Sequence, residues 1–95
     1  MTPLALAREA ASLSAEMVKQ AHAQAWETLA ETERRRADLL ARISLDGLSD
    51  SATPEFVALL KQIQQCDSDI RRHVEPWMAS VEALLAGLQR PTSSP

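Results

Sequence analysis

The sequence predicts an all-α fold, an antiparallel bundle of two or three helices, and three observations lead to it. Ala and Leu dominate the 95 residues, whereas glycine occurs twice, phenylalanine once and tyrosine never, which favours helix over β-sheet. Apolar residues recur at helical spacing. Proline and glycine lie almost entirely at the ends and in one middle stretch. We therefore expect a single domain over 1–90 and a disordered tail over 91–95.

Two helical regions, about 3–44 and 54–89, follow from the positions of the helix breakers. Thr2 before Pro3 reads as an N-cap followed by proline at the first helical position. The same pair returns at Thr53 and Pro54, after a stretch over 45–52 that is rich in turn-forming residues. The two helical regions are thus predicted to be joined by one loop.

Within the first region the apolar face changes direction. At 100° per residue, one face carries Leu6, Leu13 and Met17. A second face, rotated by roughly 140°, carries Trp26, Leu29, Leu40 and Ile43. Either the helix breaks between Ala21 and Ala25, or one long helix presents different faces to different neighbours.

The second region carries a continuous heptad seam, with residues alternately four and three apart. Its members are Phe56, Leu60, Ile63, Asp67, Ile70, Val74, Trp77, Val81, Leu84 and Leu88. Only Asp67 is polar. Because the seam stays in register beyond Pro76, we predict one long helix that is kinked at this proline.

Helix lengths then predict an uncovered apolar surface. Two helices of about 20 residues span about 30 Å each, and one of about 35 residues spans about 52 Å, so the last helix overhangs by about 20 Å. Without a break, a two-helix hairpin would still leave one flank of each stripe uncovered. An exposed apolar stripe of this size marks a partner surface. We assign partner binding to Ile70, Val74, Trp77, Val81, Leu84 and Leu88.

No residue pattern supports catalysis, a cofactor or a metal. His22 and His73 have no ligands at metal-binding spacing, and Cys66 has no local base. The net charge of −3 offers no basic footprint for nucleic acid, and no uncharged apolar run approaches the ~20 residues that cross a membrane. A single cysteine and the lack of a signal peptide favour the cytoplasm.

Charged residues also lie near the predicted helix contacts. In an antiparallel hairpin, Glu33 and Arg36 approach the level of Asp67, the polar position of the seam. One interpretation is a partly buried charge cluster that sets the helix register. The other is three independent charges on the helix flanks.

Two stretches together resemble the FliT family of flagellar export chaperones, over about residues 10–88. The family pattern of tryptophan, leucine, glutamate, arginine and a leucine pair falls on Trp26, Leu29, Glu33, Arg36, Leu39 and Leu40. A leucine pair, isoleucine, aspartate and isoleucine fall on Leu59, Leu60, Ile63, Asp67 and Ile70. Where the family often has a Gly-Asp turn before the tryptophan, this chain has Gln24 and Ala25.

The resemblance implies a cytoplasmic chaperone that binds the C-terminal segment of the filament cap protein FliD, keeps it unassembled and brings it to the type III export machinery. Components of the export ATPase complex and the flagellar master transcription regulator are further partners that it implies. Longer members have an extra C-terminal helix over the client surface. The present sequence has no counterpart, so the surface is expected to be open.

Three other interpretations remain. A self-associating helical hairpin would close its seam on a second copy and form a homodimer. A small secreted hairpin of the WXG type expects a Trp-x-Gly turn, and the loop here has Asp46 and Gly47 without tryptophan. A small helical chorismate mutase needs converging basic residues, of which the first segment offers only Arg8 and Lys19.

Overall fold

A computed structural model describes residues 1–89 and confirms the all-α prediction. Its helices are α1 (Pro3–His22), α2 (Trp26–Ala41) and α3 (Thr53–Gln89), with a short 3-10 helix at Leu45–Gly47. Residues 1–89 contain no β-strand. Helix α1 lies in the middle and packs against both α2 and α3. The predicted tail over 91–95 falls outside the described residues, and the domain boundary at 90 stays a prediction.

The two predicted helix starts behave differently. At α1, the Thr2 hydroxyl accepts a hydrogen bond from the Ala5 amide at 3.1 Å, and Pro3 is the first helical residue, as predicted. At α3, the Thr53 hydroxyl instead donates to the Ser49 carbonyl at 3.0 Å. The Ala52 carbonyl accepts the first helical bond, from the Phe56 amide. The prediction that Thr53 caps α3 is therefore wrong, because the preceding turn engages its side chain.

The first helical region breaks where the apolar face changes, between His22 and Trp26. Gln24 has a φ of 57°, the left-handed conformation that favours glycine. The Ala25 amide bonds the Gln20 carbonyl at 2.9 Å and the Gln24 amide bonds the Ala21 carbonyl at 3.1 Å, which together form a Schellman motif. Ala25 then precedes α2 as an N-cap without a side-chain hydrogen bond. The break thus exists with neither a glycine at the left-handed position nor a capping side chain.

Restoring the Gly-Asp pair at this turn should stabilise the protein. Gln24→Gly removes the cost of a side chain at positive φ, and Ala25→Asp supplies an N-cap acceptor; we expect each to add roughly 0.5–1 kcal/mol to the free energy of unfolding. Urea denaturation followed by circular dichroism measures the effect. Gln20→Gly, inside α1, is the control and should destabilise by about 1 kcal/mol. A destabilising Gln24→Gly would contradict the left-handed assignment.

The core forms along α1, where small residues let the other helices approach closely. Ala7 and Ala10 are fully buried. Leu6 and Leu13 pack with Leu39 of α2, whereas Ala10 and Ala11 pack with Ile63 of α3. Met17 and Ala21 complete the core with Leu29. Most of the buried residues therefore lie on α1, and α2 and α3 each cover a different side of it.

Helix α3 runs without interruption through Pro76. Its 37 residues span about 55 Å, against about 30 Å for the 20 residues of α1. The molecule measures 70 × 24 × 20 Å with a radius of gyration of 18.5 Å, well above the ~12 Å typical of a compact chain of this length. The predicted kink at Pro76 stays a prediction, whereas the single long helix is observed.

Candidate functional site

The exposed fraction of the seam residues of α3 is low in the first half of the helix and high in the second half. Ile63, in the first half, is 6% exposed, and Phe56 is also buried. Trp77 is 45% exposed, Leu84 68% and Leu88 81%. We call the apolar residues of this second half the distal strip: Trp77, Met78, Val81, Leu84, Leu85 and Leu88. The heptad pattern continues unchanged along α3. The two halves therefore differ in whether another helix packs against them.

A cleft continues from the distal strip towards the core. Helices α2 and α3 both pack on α1 but make little contact with each other. The gap between them has a volume of about 350 Å³. We call it the α2–α3 cleft, and its lining consists of Met17, Trp26, Leu29, Glu33, Arg36, Asp67, Ile70, Arg71 and Val74. Apolar side chains and both signs of charge thus meet in one concave surface.

A polar bridge in the lining of this cleft joins all three helices. The Arg36 guanidinium donates to Asp67 Oδ1 at 2.6 Å and to Ser14 Oγ at 3.1 Å. Ser14 Oγ in turn donates to the Ala10 carbonyl at 2.8 Å inside α1. Arg36 is 13% and Asp67 33% exposed, so both charges are partly desolvated. This link ties α2 to α3 in one register.

Glu33 does not join that bridge. It is exposed, and its carboxylate forms no ion pair within residues 1–89. The sequence interpretation of a three-residue cluster therefore reduces to Arg36 and Asp67, with Ser14 as a third member that the charge pattern did not indicate. A buried serine on α1 carries no charge, and its helical position alone does not distinguish it from the neighbouring alanines.

Two aromatic pairs fasten the α1–α2 turn to α3. The ring centroids of Trp26 and Trp77 lie 5.4 Å apart, and those of His22 and His73 lie 3.8 Å apart. The sequence pattern did not predict either of these pairs. The available signal was their equal spacing, since His22 and Trp26, like His73 and Trp77, are four residues apart. Beyond Trp77, only the last twelve residues of α3 follow.

The described residues contain neither a metal-binding cluster nor an activated thiol. Within residues 1–89, no group of three or more His, Cys, Asp or Glu side chains could hold a metal ion. Burial, and then the carboxylates of Asp69 and Asp67, raise the pKa of the Cys66 thiol, against the opposing effect of Arg36. A higher pKa lowers the thiolate fraction, so this thiol is not activated as a nucleophile.

The structure places the predicted partner-binding residues on two connected surfaces. Ile70 and Val74 are half-buried and line the α2–α3 cleft. Trp77, Leu84 and Leu88 are exposed and Val81 is half-buried in the distal strip. Exposed Met78 and Leu85 widen this strip, and the seam pattern included neither of them. The binding role of the six predicted residues stays a prediction.

Comparison with known proteins identifies the family. No helix within the described residues is both long and apolar enough to cross a membrane. A search of curated proteins and a search of solved structures gave no significant match. The model of the family described as flagellar protein FliT matches residues 4–94, which is nearly the whole chain. The chain therefore belongs to the FliT family of flagellar proteins.

Proposed function

We propose that this chain is a cytoplasmic export chaperone for the filament cap protein FliD. It binds the C-terminal segment of FliD as an amphipathic helix, keeps that protein unassembled and delivers it to the type III export apparatus. Family membership supports a role in flagellum assembly. An apolar helical surface suits a client of this kind, because an amphipathic helix binds by laying its apolar face into a hydrophobic groove.

The observation that carries this proposal is the uncovered half of the α3 seam. Leu84 and Leu88 are 68% and 81% exposed although they occupy core positions of a heptad. Each such side chain gains about 1.5–3 kcal/mol when it is fully buried. A client helix that covers the distal strip would recover this free energy, and the binding energy would come mainly from apolar contact.

Charge supports the choice of the α2–α3 cleft as the continuation of the binding surface. Arg36 and Asp67, which both line this cleft, neutralise each other. Glu33 and Arg71 are exposed at its edge, one of each sign. A client helix can therefore place its apolar face on Ile70 and Val74 and pair polar flanks with these two edge charges. Such pairs orient a bound helix more than they strengthen it.

Substitutions in the distal strip should weaken FliD binding. Trp77→Ala removes a large apolar contact and Leu84→Asp places a charge where the client would exclude water, so each should lower affinity for a FliD C-terminal peptide at least about tenfold, or 1.4 kcal/mol. Isothermal titration calorimetry with the full chain measures this.

A matched control comes from the other end of the bundle. Leu45 is 66% exposed, almost the same as Leu84, but lies in the loop between α2 and α3. Leu45→Asp should leave the affinity for the FliD peptide unchanged within about twofold. Equal losses for Leu45→Asp and Leu84→Asp, or no loss for either strip variant, would contradict the proposed surface.

A further inference from the structure

The only two histidines of this chain lie in contact with each other. His22 ends α1 and His73 lies in the second half of α3, and their ring centroids are 3.8 Å apart. Both residues are exposed, so protons reach both from solvent. Histidine is the residue type whose ordinary pKa gives a change of charge between pH 5 and 8. A charge gained by one ring in this range is therefore felt directly by the other.

A second aromatic contact lies beside this histidine pair. Trp26 and Trp77 each follow a histidine by four residues, and their ring centroids are 5.4 Å apart. The two pairs together hold the α1–α2 turn against α3. Trp26 lines the α2–α3 cleft, whereas Trp77 begins the distal strip. The histidine pair therefore lies at the junction of these two surfaces.

Charged side chains near the histidine pair on the three helices balance one another. On α1, Lys19 lies one helical turn before the histidine and lines the same surface hollow. On α2, Glu27 lies in the first turn. On α3, Asp69 shares the helix face of the histidine and pairs with Arg72 at 3.6 Å. Because two positive and two negative charges cancel, the protons on the two imidazoles decide the net charge at this contact.

We propose that the histidine pair is a pH-sensitive switch that fastens the α1–α2 turn to α3 at neutral pH and releases it in mild acid. Two neutral imidazoles stack as other aromatic rings do. Two imidazolium ions at the same distance repel each other, and their separation also separates Trp26 from Trp77. The contact favours the neutral pair, so it is complete above about pH 7 and is lost as the pH falls through the histidine range.

The size of the effect follows from the distance and the exposure of the two rings. Two unit charges about 4 Å apart in water repel each other enough to change an equilibrium constant roughly fivefold. The value in water applies because both histidines are exposed. Salt at about 1 M shortens the screening length to about 3 Å and should reduce this ratio. The switch therefore changes the population of the fastened turn several-fold and leaves the bundle folded.

A double-mutant cycle at two pH values tests the repulsion. The variants are His22→Gln, His73→Gln and the double substitution, which remove the imidazoles without adding charge. In urea denaturation of the full chain, the coupling between the two histidines should stabilise the fold at about pH 8. At about pH 5.5 it should be weaker by roughly fivefold in the equilibrium constant. Protonation of carboxylates elsewhere cancels in the cycle, so a coupling that is the same at both pH values would overturn the proposal.

The tryptophan pair reports whether the repulsion opens the turn. Trp26 and Trp77 are the only tryptophans of the chain, and two indole rings this close give a coupled pair of bands in circular dichroism. These bands should weaken between about pH 8 and about pH 5.5, and should weaken less in about 1 M sodium chloride. The matched control combines His22→Phe with His73→Phe. It keeps two stacked rings without a site for a proton, so its bands should not change with pH.

Each other outcome overturns the switch, and none depends on FliD. Coupled bands that are missing at about pH 8, or that persist unchanged at about pH 5.5, show that the turn does not respond to the charge of the histidine pair. Equal weakening in the phenylalanine control assigns the change to other groups. A loss that salt does not reduce excludes charge repulsion as its cause. The helix bands of the same spectra confirm that each variant is folded.

Discussion

Replacing Ile63 by alanine is expected to lower the free energy of unfolding by about 3 kcal/mol, a large part of the stability of a domain of this size. Ile63 is 6% exposed and packs on Ala10 and Ala11 of α1. Because those neighbours are alanines within a helix, they cannot move to fill the space that the lost side chain leaves. The substitution therefore loses both the transfer free energy of the side chain and the packing around it.

The same truncation at Leu84, three heptads further along the same seam, should cost less than about 0.5 kcal/mol. Leu84 is 68% exposed, so little contact is lost. Urea denaturation compares the two variants directly. Equal costs at Ile63 and Leu84 would mean that the distal end of α3 is covered within the single chain, and the open surface would then not exist.

Breaking the bridge between Arg36 and Asp67 should be the second large effect. We expect Arg36→Met alone to cost about 2 kcal/mol, because it leaves a partly desolvated carboxylate and the Ser14 hydroxyl without their donor. Asp67→Leu alone leaves the nearly buried guanidinium unpaired. The double substitution completes an apolar seam and should return close to the original stability, so that the coupling energy reaches about 1.5 kcal/mol or more.

A second ion pair in the same protein provides the control for this cycle. Arg8 and Glu55 also join α1 to α3 at 2.6 Å, but their side chains are 58% and 50% exposed. Solvent screens such a pair, and its coupling energy should stay below about 0.5 kcal/mol. Similar coupling in the two cycles would show that the Arg36–Asp67 pair does not hold the helix register, and would favour independent flank charges.

The turn at Gln24 is a helix break that local sequence signals alone did not establish. The change of apolar face indicated a possible break between Ala21 and Ala25. The residue that usually ends a helix is missing there, because Gln24 occupies a position that favours glycine. A break without its sequence signal forms only when packing compensates for the cost. Leu29 packs with Met17 and Ala21 of α1 once the chain has turned, and Trp26 contacts Trp77. Tertiary contacts therefore decide between a break and one long helix.

Periodicity and breaker positions determined, without any coordinates, that this chain is helical, that its longest helix carries an unbroken heptad seam through Pro76, and that a further helical region precedes it. These features depend on neighbouring residues, whose spacing the sequence records. Three other features depended on tertiary structure. They are the half of the seam that is covered, the contact of Arg36 rather than Glu33 with Asp67, and the pairing of His22 with His73. A repeat states which side chains share a face, whereas the lengths and register of the packed helices decide what lies against that face.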